Sequence, residues 1–226
     1  MAESKTNPGR ALAVLRKMFA WMFESRALVV DVGQDGQNEL DKGLKAYNDG
    51  RFADAVSLFR KAAEKGHPVA EHMLGVCWYD GDGVERNDAE AAKWFRKAAE
   101  KGFAKAQYMV GDFHESGLGG LEQDYTEAEK WYRLAAEQGL DQAQNSLGWF
   151  YYNGFGVKKD LAEAVKWYRL AAEQGLDEAQ YNLGVAYLEG SGVEKDRAEA
   201  AKWFRMAAAQ GMEDAAKMMK MNDLGA

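Results

Sequence analysis

Tryptophan recurs along this chain at an almost fixed interval, and that interval constrains the fold more than any other feature. Trp94, Trp131, Trp167 and Trp203 lie 37, 36 and 36 residues apart, each inside one phrase: KWFRKAA, KWYRLAA, KWYRLAA and KWFRMAA. Each phrase runs on to a glycine, Gly102, Gly139, Gly175 or Gly211. These marks define four full units, 67–102, 103–139, 140–175 and 176–211, with one surplus residue in the GLGGL of the second. A shorter unit, 36–66, keeps the ending but lacks the middle loop, and 212–226 restarts the pattern as a capping helix and tail. Residues 1–35 do not repeat. A unit of this length buries no core alone, so neighbours must stack.

Each unit reads as two helices. In the second half, apolar residues recur at helical spacing, as in Ala91, Trp94, Phe95 and Ala98 or Ala164, Trp167, Tyr168 and Ala171. The starts carry the pairs Asn87/Glu90, Asp124/Glu127, Asp160/Glu163 and Asp196/Glu199, the spacing of a capping box. The closing glycines supply the left-handed residue that ends a helix. In the first half, Ala70, Leu74 and Trp78 recur as Ala106, Val110, His114, as Ala143, Leu147, Tyr151 and as Ala179, Leu183, Tyr187. Gly75, Gly111, Gly148 and Gly184 sit inside that helix, each costing about 1 kcal/mol against alanine. Close helix–helix approach is the expected reason.

The phrases AEHMLGVCWYDGDGV, AQNSLGWFYYNGFGV and AQYNLGVAYLEGSGV, each followed by a KW(F/Y)R helix, resemble the Sel1-like repeat, a relative of the tetratricopeptide repeat with a longer inter-helix loop. The resemblance covers 67–211, while 36–66 is more similar to an ordinary tetratricopeptide unit. The unit 103–139 departs from the pattern at His114 and in its loop. The resemblance implies an all-α fold, a right-handed α-solenoid of antiparallel helix pairs. It also implies binding of proteins or peptides, frequently in bacterial signalling, secretion, envelope biogenesis or host interaction.

Catalytic readings find little support in the residues. The glycine pairs Gly81/Gly83, Gly117/Gly119, Gly154/Gly156 and Gly190/Gly192 follow helices and lack a third glycine, so they read as turns with φ > 0 and not as a nucleotide fingerprint. His67, His72 and His114 complete no zinc pattern, and no metal or other cofactor is expected. Cys77 is the only cysteine and lies in the apolar phrase LGVCWY, where an inert buried thiol is expected. No serine-nucleophile motif is present. Some cysteine-rich relatives of the repeat have been linked to β-lactams, but this chain lacks their cysteines and that property is not carried over. Lys93/Arg96, Lys130/Arg133, Lys166/Arg169 and Lys202/Arg205 read as a solvated ridge with intrahelical pairs. A formal charge of −7 argues against a nucleic-acid partner.

A groove remains as the candidate site. In superhelices of this kind the first helix of each unit lines the concave wall. That places Lys45 and Asn48 there from the first unit, His72, Tyr79 and Asp80 from the second, and Tyr108, Asp112 and Glu115 from the third. Asn145, Trp149, Tyr152 and Asn153 follow, then Tyr181 and Glu189. These columns vary between units while the core columns repeat, which leaves them free to read a ligand. Aromatic rings with Asn and carboxylates suit an extended peptide. The competing reading packs Trp149 and Tyr152 into a neighbouring unit's core.

Residues 11–23, ALAVLRKMFAWMF, form an amphipathic helical pattern, and VVDVGQDGQ follows as a linker. Residues 1–30 carry +3 and the remainder −10. Three uses fit: a peripheral contact with an anionic membrane, a cover for the first unit's open face, or self-association. Arg16 and Lys17 interrupt the apolar run that a secretory signal needs, so the cytoplasm is the expected compartment, with membrane association second and periplasm or secretion third. The sequence thus points to a non-catalytic adaptor holding a partner protein or peptide. Its alternatives are an immunity-type inhibitor masking a basic enzyme or toxin, and a membrane-surface scaffold.

Overall fold

The computed structural model describes residues 36–224, so the segment 11–23 and the three uses suggested for it lie outside the described residues. Within them the chain forms eleven helices and no strand: α1 (Gln37–Asn48), α2 (Phe52–Glu64), α3 (Pro68–Asp80), α4 (Asp88–Glu100), α5 (Ala104–Ser116), α6 (Tyr125–Glu137), α7 (Asp141–Asn153), α8 (Leu161–Glu173), α9 (Asp177–Glu189), α10 (Arg197–Ala209) and α11 (Glu213–Met221). They pack as successive hairpins, α1 with α2 through α9 with α10. Each second helix also packs on the next unit's first helix, and α11 packs on α10. The result is an α-solenoid.

The glycine inside each first helix receives an aromatic ring from the second. A methyl group built on Gly75, Gly111, Gly148 or Gly184 would stand 2.5, 2.7, 2.6 or 2.8 Å from ring carbons of Phe95, Tyr132, Tyr168 or Phe204. Gly43 faces Phe59 in the same way at 2.7 Å. All five rings are buried and form the centre of each hairpin. The expected close approach is therefore ring against backbone, which trades helix propensity for burial of a large apolar side chain.

The loop glycines make a different contact. Gly83, Gly119, Gly156 and Gly192 all have positive φ, and a side chain there would collide with the backbone of Phe52, Asp88, Tyr125 or Leu161 at 2.1–2.8 Å. Each contacted residue opens a second helix of the preceding unit, always 31 positions upstream. The surplus residue of 103–139 leaves this spacing intact because it is taken up at Gly120, beside which there is open space.

The predicted helix starts form on one side of the box only. Asn87, Asp124, Asp160 and Asp196 accept backbone N–H groups of their first turns. The glutamates do not reach back. Glu90, Glu127, Glu163 and Glu199 accept instead from Lys93, Lys130, Lys166 and Lys202 at 2.6, 2.6, 2.7 and 3.3 Å. The N–H groups they would have served donate to the carbonyls of Trp78, His114, Tyr151 and Tyr187, at 2.8–2.9 Å. Backbone demand is met by the preceding helix, which frees the glutamates for the surface. The same column binds the charged ridge: Arg133 and Arg169 donate to the hydroxyls of Tyr151 and Tyr187 at 2.6 and 2.7 Å, so these arginines clamp adjacent units and are not merely solvated. His114, in the same column, is buried, and its Nε2 has no protein partner.

A buried polar ladder runs through the stack. Gln107, Gln144 and Gln180 donate to Ala99, Ala136 and Ala172 carbonyls of the preceding unit at 3.2–3.3 Å. Each accepts from Gln138, Gln174 or Gln210 at 2.6, 2.8 or 3.0 Å. One unit earlier the pair is ionic: Lys101 Nζ donates to buried Glu71 at 2.7 Å, and the short first unit carries the equivalent pair, Lys65 with Glu39, at 3.0 Å. Removing one partner strands the other's charge, whereas replacing both keeps the geometry. Lys101→Ala is expected to cost about 3 kcal/mol in denaturant melts, and Glu71→Gln with Lys101→Gln to recover most of that loss by copying the glutamine rungs. Gly148→Ala is expected to destabilise by about 1–3 kcal/mol despite alanine's better helix propensity, because the methyl meets the Tyr168 ring.

Candidate functional site

The first helices α5, α7 and α9 lie side by side, and their shared face forms a wall. Side chains bridge it from unit to unit. Asn182 Nδ2 donates to Asn145 Oδ1 at 3.0 Å, joining α9 to α7, and the Tyr108 hydroxyl on α5 lies close to Ser146 on α7. Tyr108 also lies within electrostatic reach of Glu178 on α9, two units away, as well as of Asp112 and Glu115 on its own helix. Side chains from three successive first helices therefore share one face.

Trp149 occupies the middle of this wall and is 44% exposed. Its ring stacks on Tyr152, with centroids 6.3 Å apart and planes inclined by 9°. Tyr152 is half-buried, and Lys159 Nζ sits 5.4 Å from its ring centre. Tyr181 is half-buried against Phe204, and Tyr108 against Tyr132. The competing reading of Trp149 as a core residue does not describe its position, although Tyr152 does pack against the core shared by its own unit and the next.

Carboxylates surround these rings. Burial pushes the Asp112 carboxyl above the ordinary carboxylate range, and Glu115 adds to the shift. Asp141 rises for the first of these reasons, against the pull of Lys105. Glu178 rises by burial and by the repulsion of Asp177. Lys105 is pushed down to about 8 by burial, Asp141 opposing. Tyr108 is pushed up to about 12 by burial and Asp112. Glu115 accepts a hydrogen bond from the Tyr132 hydroxyl at 2.5 Å.

Of the nominated residues, Tyr108, Asp112, Glu115, Asn145, Trp149, Tyr152 and Tyr181 lie on α5, α7 and α9, the three helices of this wall. Asn153 spends its amide on the Trp149 carbonyl at 2.9 Å, closing the end of α7, and exposed Glu189 accepts from Ser191. Lys45 and Asn48 are exposed on α1, as is Asp80 on α3, while Tyr79 is half-buried between Phe113 and Arg86. His72 is a correction. It is 4% exposed, with its ring 5.4 Å from Phe95 and 5.1 Å from Phe103, and it belongs to the core. Phe103, contributed by the next unit, covers it. Lys105, Asp141, Ser146, Glu178 and Asn182 were missed by the sequence reading. Each stands one, three or four residues from a nominated position on the same helix, so helical periodicity was the signal that could have found them.

The opposite side of the solenoid carries a second apolar feature. Leu134, Leu170 and Met206, on α6, α8 and α10, are 45, 45 and 40% exposed. Beside the inserted loop a cavity of about 170 Å³ is lined by Phe95, Val110, Phe113 and Leu121, with Lys93 and Arg96 at its rim.

A family model described as the Sel1 repeat matches residues 42–67, 68–103, 104–140, 141–176 and 177–212, taking in the short first unit as well. Among solved structures, a Sel1 repeat protein from Oxalobacter formigenes is 36% identical, covers 84% of this chain and 80% of its own, and superposes with a TM-score of 0.77. The protective antigen c5321 of uropathogenic Escherichia coli, which displays an SLR fold, is 38% identical over 80% of this chain and 39% of its own, with a TM-score of 0.75. A curated relative, the exopolysaccharide production negative regulator of Rhizobium leguminosarum bv. viciae, is 46% identical over 48 residues, 21% of this chain. The match spans only 18% of that relative's length.

The burial of His72 sets a pH dependence. Its imidazole is pushed down to about 3 by burial, with Lys105 adding to the shift, so the folded state holds it neutral while the unfolded chain protonates it below pH 6.5. Stability from this group is complete above pH 6.5 and is lost as pH falls. The raised carboxyls of Asp112, Asp141 and Glu178 act with opposite sign, so a variant isolates the histidine. Between pH 7 and pH 5 the wild type is expected to lose about 2 kcal/mol more than His72→Phe, read from urea midpoints at the two pH values.

Proposed function

The chain belongs to the Sel1 repeat family, whose members generally serve as protein–protein interaction modules without catalytic activity, and from that premise we propose that it is an adaptor holding a partner polypeptide along the wall of α5, α7 and α9. The observation that carries this reading is Trp149, a large apolar side chain held open to solvent by stacking on Tyr152. Aromatic residues of this kind dominate binding energy where they are pre-ordered and can be desolvated by a partner. Asn145 and Asn182 bond one another and still retain an amide donor and a carbonyl acceptor for a partner's backbone. The core columns repeat from unit to unit while the wall columns differ, which is the division of labour expected when packing is shared and recognition is particular.

The proposal separates the wall from the outer face. With a photo-crosslinking amino acid at position 149, a discrete adduct with a partner protein is expected in cells, whereas the same group at position 134 gives none. Trp149→Ala with Tyr152→Ala and Tyr181→Ala is expected to weaken partner capture more than about tenfold while leaving far-ultraviolet circular dichroism unchanged. Adducts formed only from position 134 would move the interaction to the outer face.

A further inference from the structure

The wall's chemistry narrows the partner further. The wall that carries the exposed Trp149 ring also carries carboxylates that lack counter-charges among the described residues. Asp112, Glu115 and Glu178 have no Lys, Arg or His within ion-pair distance among the described residues, although exposed acids on the second helices mostly do. The cations on this face are Lys105, which is set against Asp141, and Lys159, which sits over Tyr152. Three of the acids lie within electrostatic reach of one phenol, Tyr108: Asp112, one turn along the same helix; Glu115, which accepts from the Tyr132 hydroxyl beside the Tyr108 ring; and Glu178 on α9. Tyr108 is itself half-buried, its ring packed 5.4 Å from that of Tyr132.

We infer that this wall binds an extended, cationic polypeptide segment, with one lysine or arginine head seated at Tyr108 among Asp112, Glu115 and Glu178 and its neighbouring residues laid against Trp149. The inference rests on the reading of the wall as a peptide-binding surface and adds the chemistry of its occupant. Carboxylates that lack counter-charges gain most from a ligand that brings the missing charge. An ammonium or guanidinium group suits the flanking rings as well, because aromatic faces attract cations. Lys159 already makes that contact with Tyr152, 5.4 Å from its centre. An acidic or phosphorylated segment would instead meet like charge near Tyr108.

The test uses the full chain and three fluorescein-labelled nine-residue peptides that are identical except for lysine, serine or glutamate at alternating positions, with affinity read by fluorescence anisotropy. The lysine peptide is expected to bind about tenfold more tightly than the serine peptide, with that advantage shrinking as salt is raised. Asp112→Asn with Glu178→Gln preserves side-chain size, and is expected to bring the lysine peptide to within about threefold of the serine peptide while thermal stability is held. Trp149→Ala is expected to weaken all peptides that bind. Equal binding of the lysine and serine peptides, both lost on Trp149→Ala, would overturn the cationic inference and leave the peptide-binding wall standing. A lysine preference undiminished in the Asp112/Glu178 variant would also overturn it, because the charge recognition would then lie elsewhere. Lysine-peptide binding indifferent to Trp149→Ala would overturn the wall itself. No lysine-peptide binding up to about 1 mM would overturn the inference outright.

Discussion

A glycine facing an aromatic ring fixes the distance between the two helices of every hairpin. Without a side chain at Gly75, Gly111, Gly148 or Gly184, the ring of the partner helix lies directly on the backbone, and alanine columns complete the close approach. Everything else in the solenoid follows from that spacing. It keeps the first helices at one depth, so that the carbonyls of Trp78, His114, Tyr151 and Tyr187 reach the opening N–H groups of the second helices. It also holds the first-helix faces in one surface, where side chains from α5, α7 and α9 meet.

Stacking between units relies on a different physics. Apolar packing alone would let neighbouring hairpins slide, since alanine and small aliphatic contacts are weakly directional. The bonds from the Gln107, Gln144 and Gln180 amides and the arginine–tyrosine bonds are directional, and each reaches a carbonyl or hydroxyl of the adjoining unit. They set register much as buried polar residues do in coiled coils. Glutamines give way to Glu71 and Lys101 at the rung where the short first unit meets the full ones, and to Glu39 and Lys65 in the short unit itself.

The fold was legible because repetition separates packing from everything else: a column that returns in each unit, such as Phe95, Tyr132, Tyr168 and Phe204, has to be internal. The glutamine ladder also returns in each unit, yet it escaped notice because glutamine reads as surface. Its burial depends on carbonyls of the preceding helix end that no local pattern displays. The capping glutamates misled for a similar reason, since a tertiary carbonyl took the N–H they would have bound. In the wall, Trp149 and the tyrosines were legible from helical spacing. His72 was not, because its covering ring, Phe103, comes from the next unit and is unlike the Leu140 and Leu176 that open the later ones. The amphipathic segment 11–23 lies beyond what the fold explains.

The loop glycines give the stack a direction. Each loop rests on the opening turn of the second helix in the unit before it, so every unit is supported from its N-terminal side and supports the next in turn. Load applied at the C-terminal end meets these contacts one after another, in series. A chain built this way gives way by peeling from that end, unit by unit, and the force record would be a sawtooth whose teeth are one repeat of contour length apart.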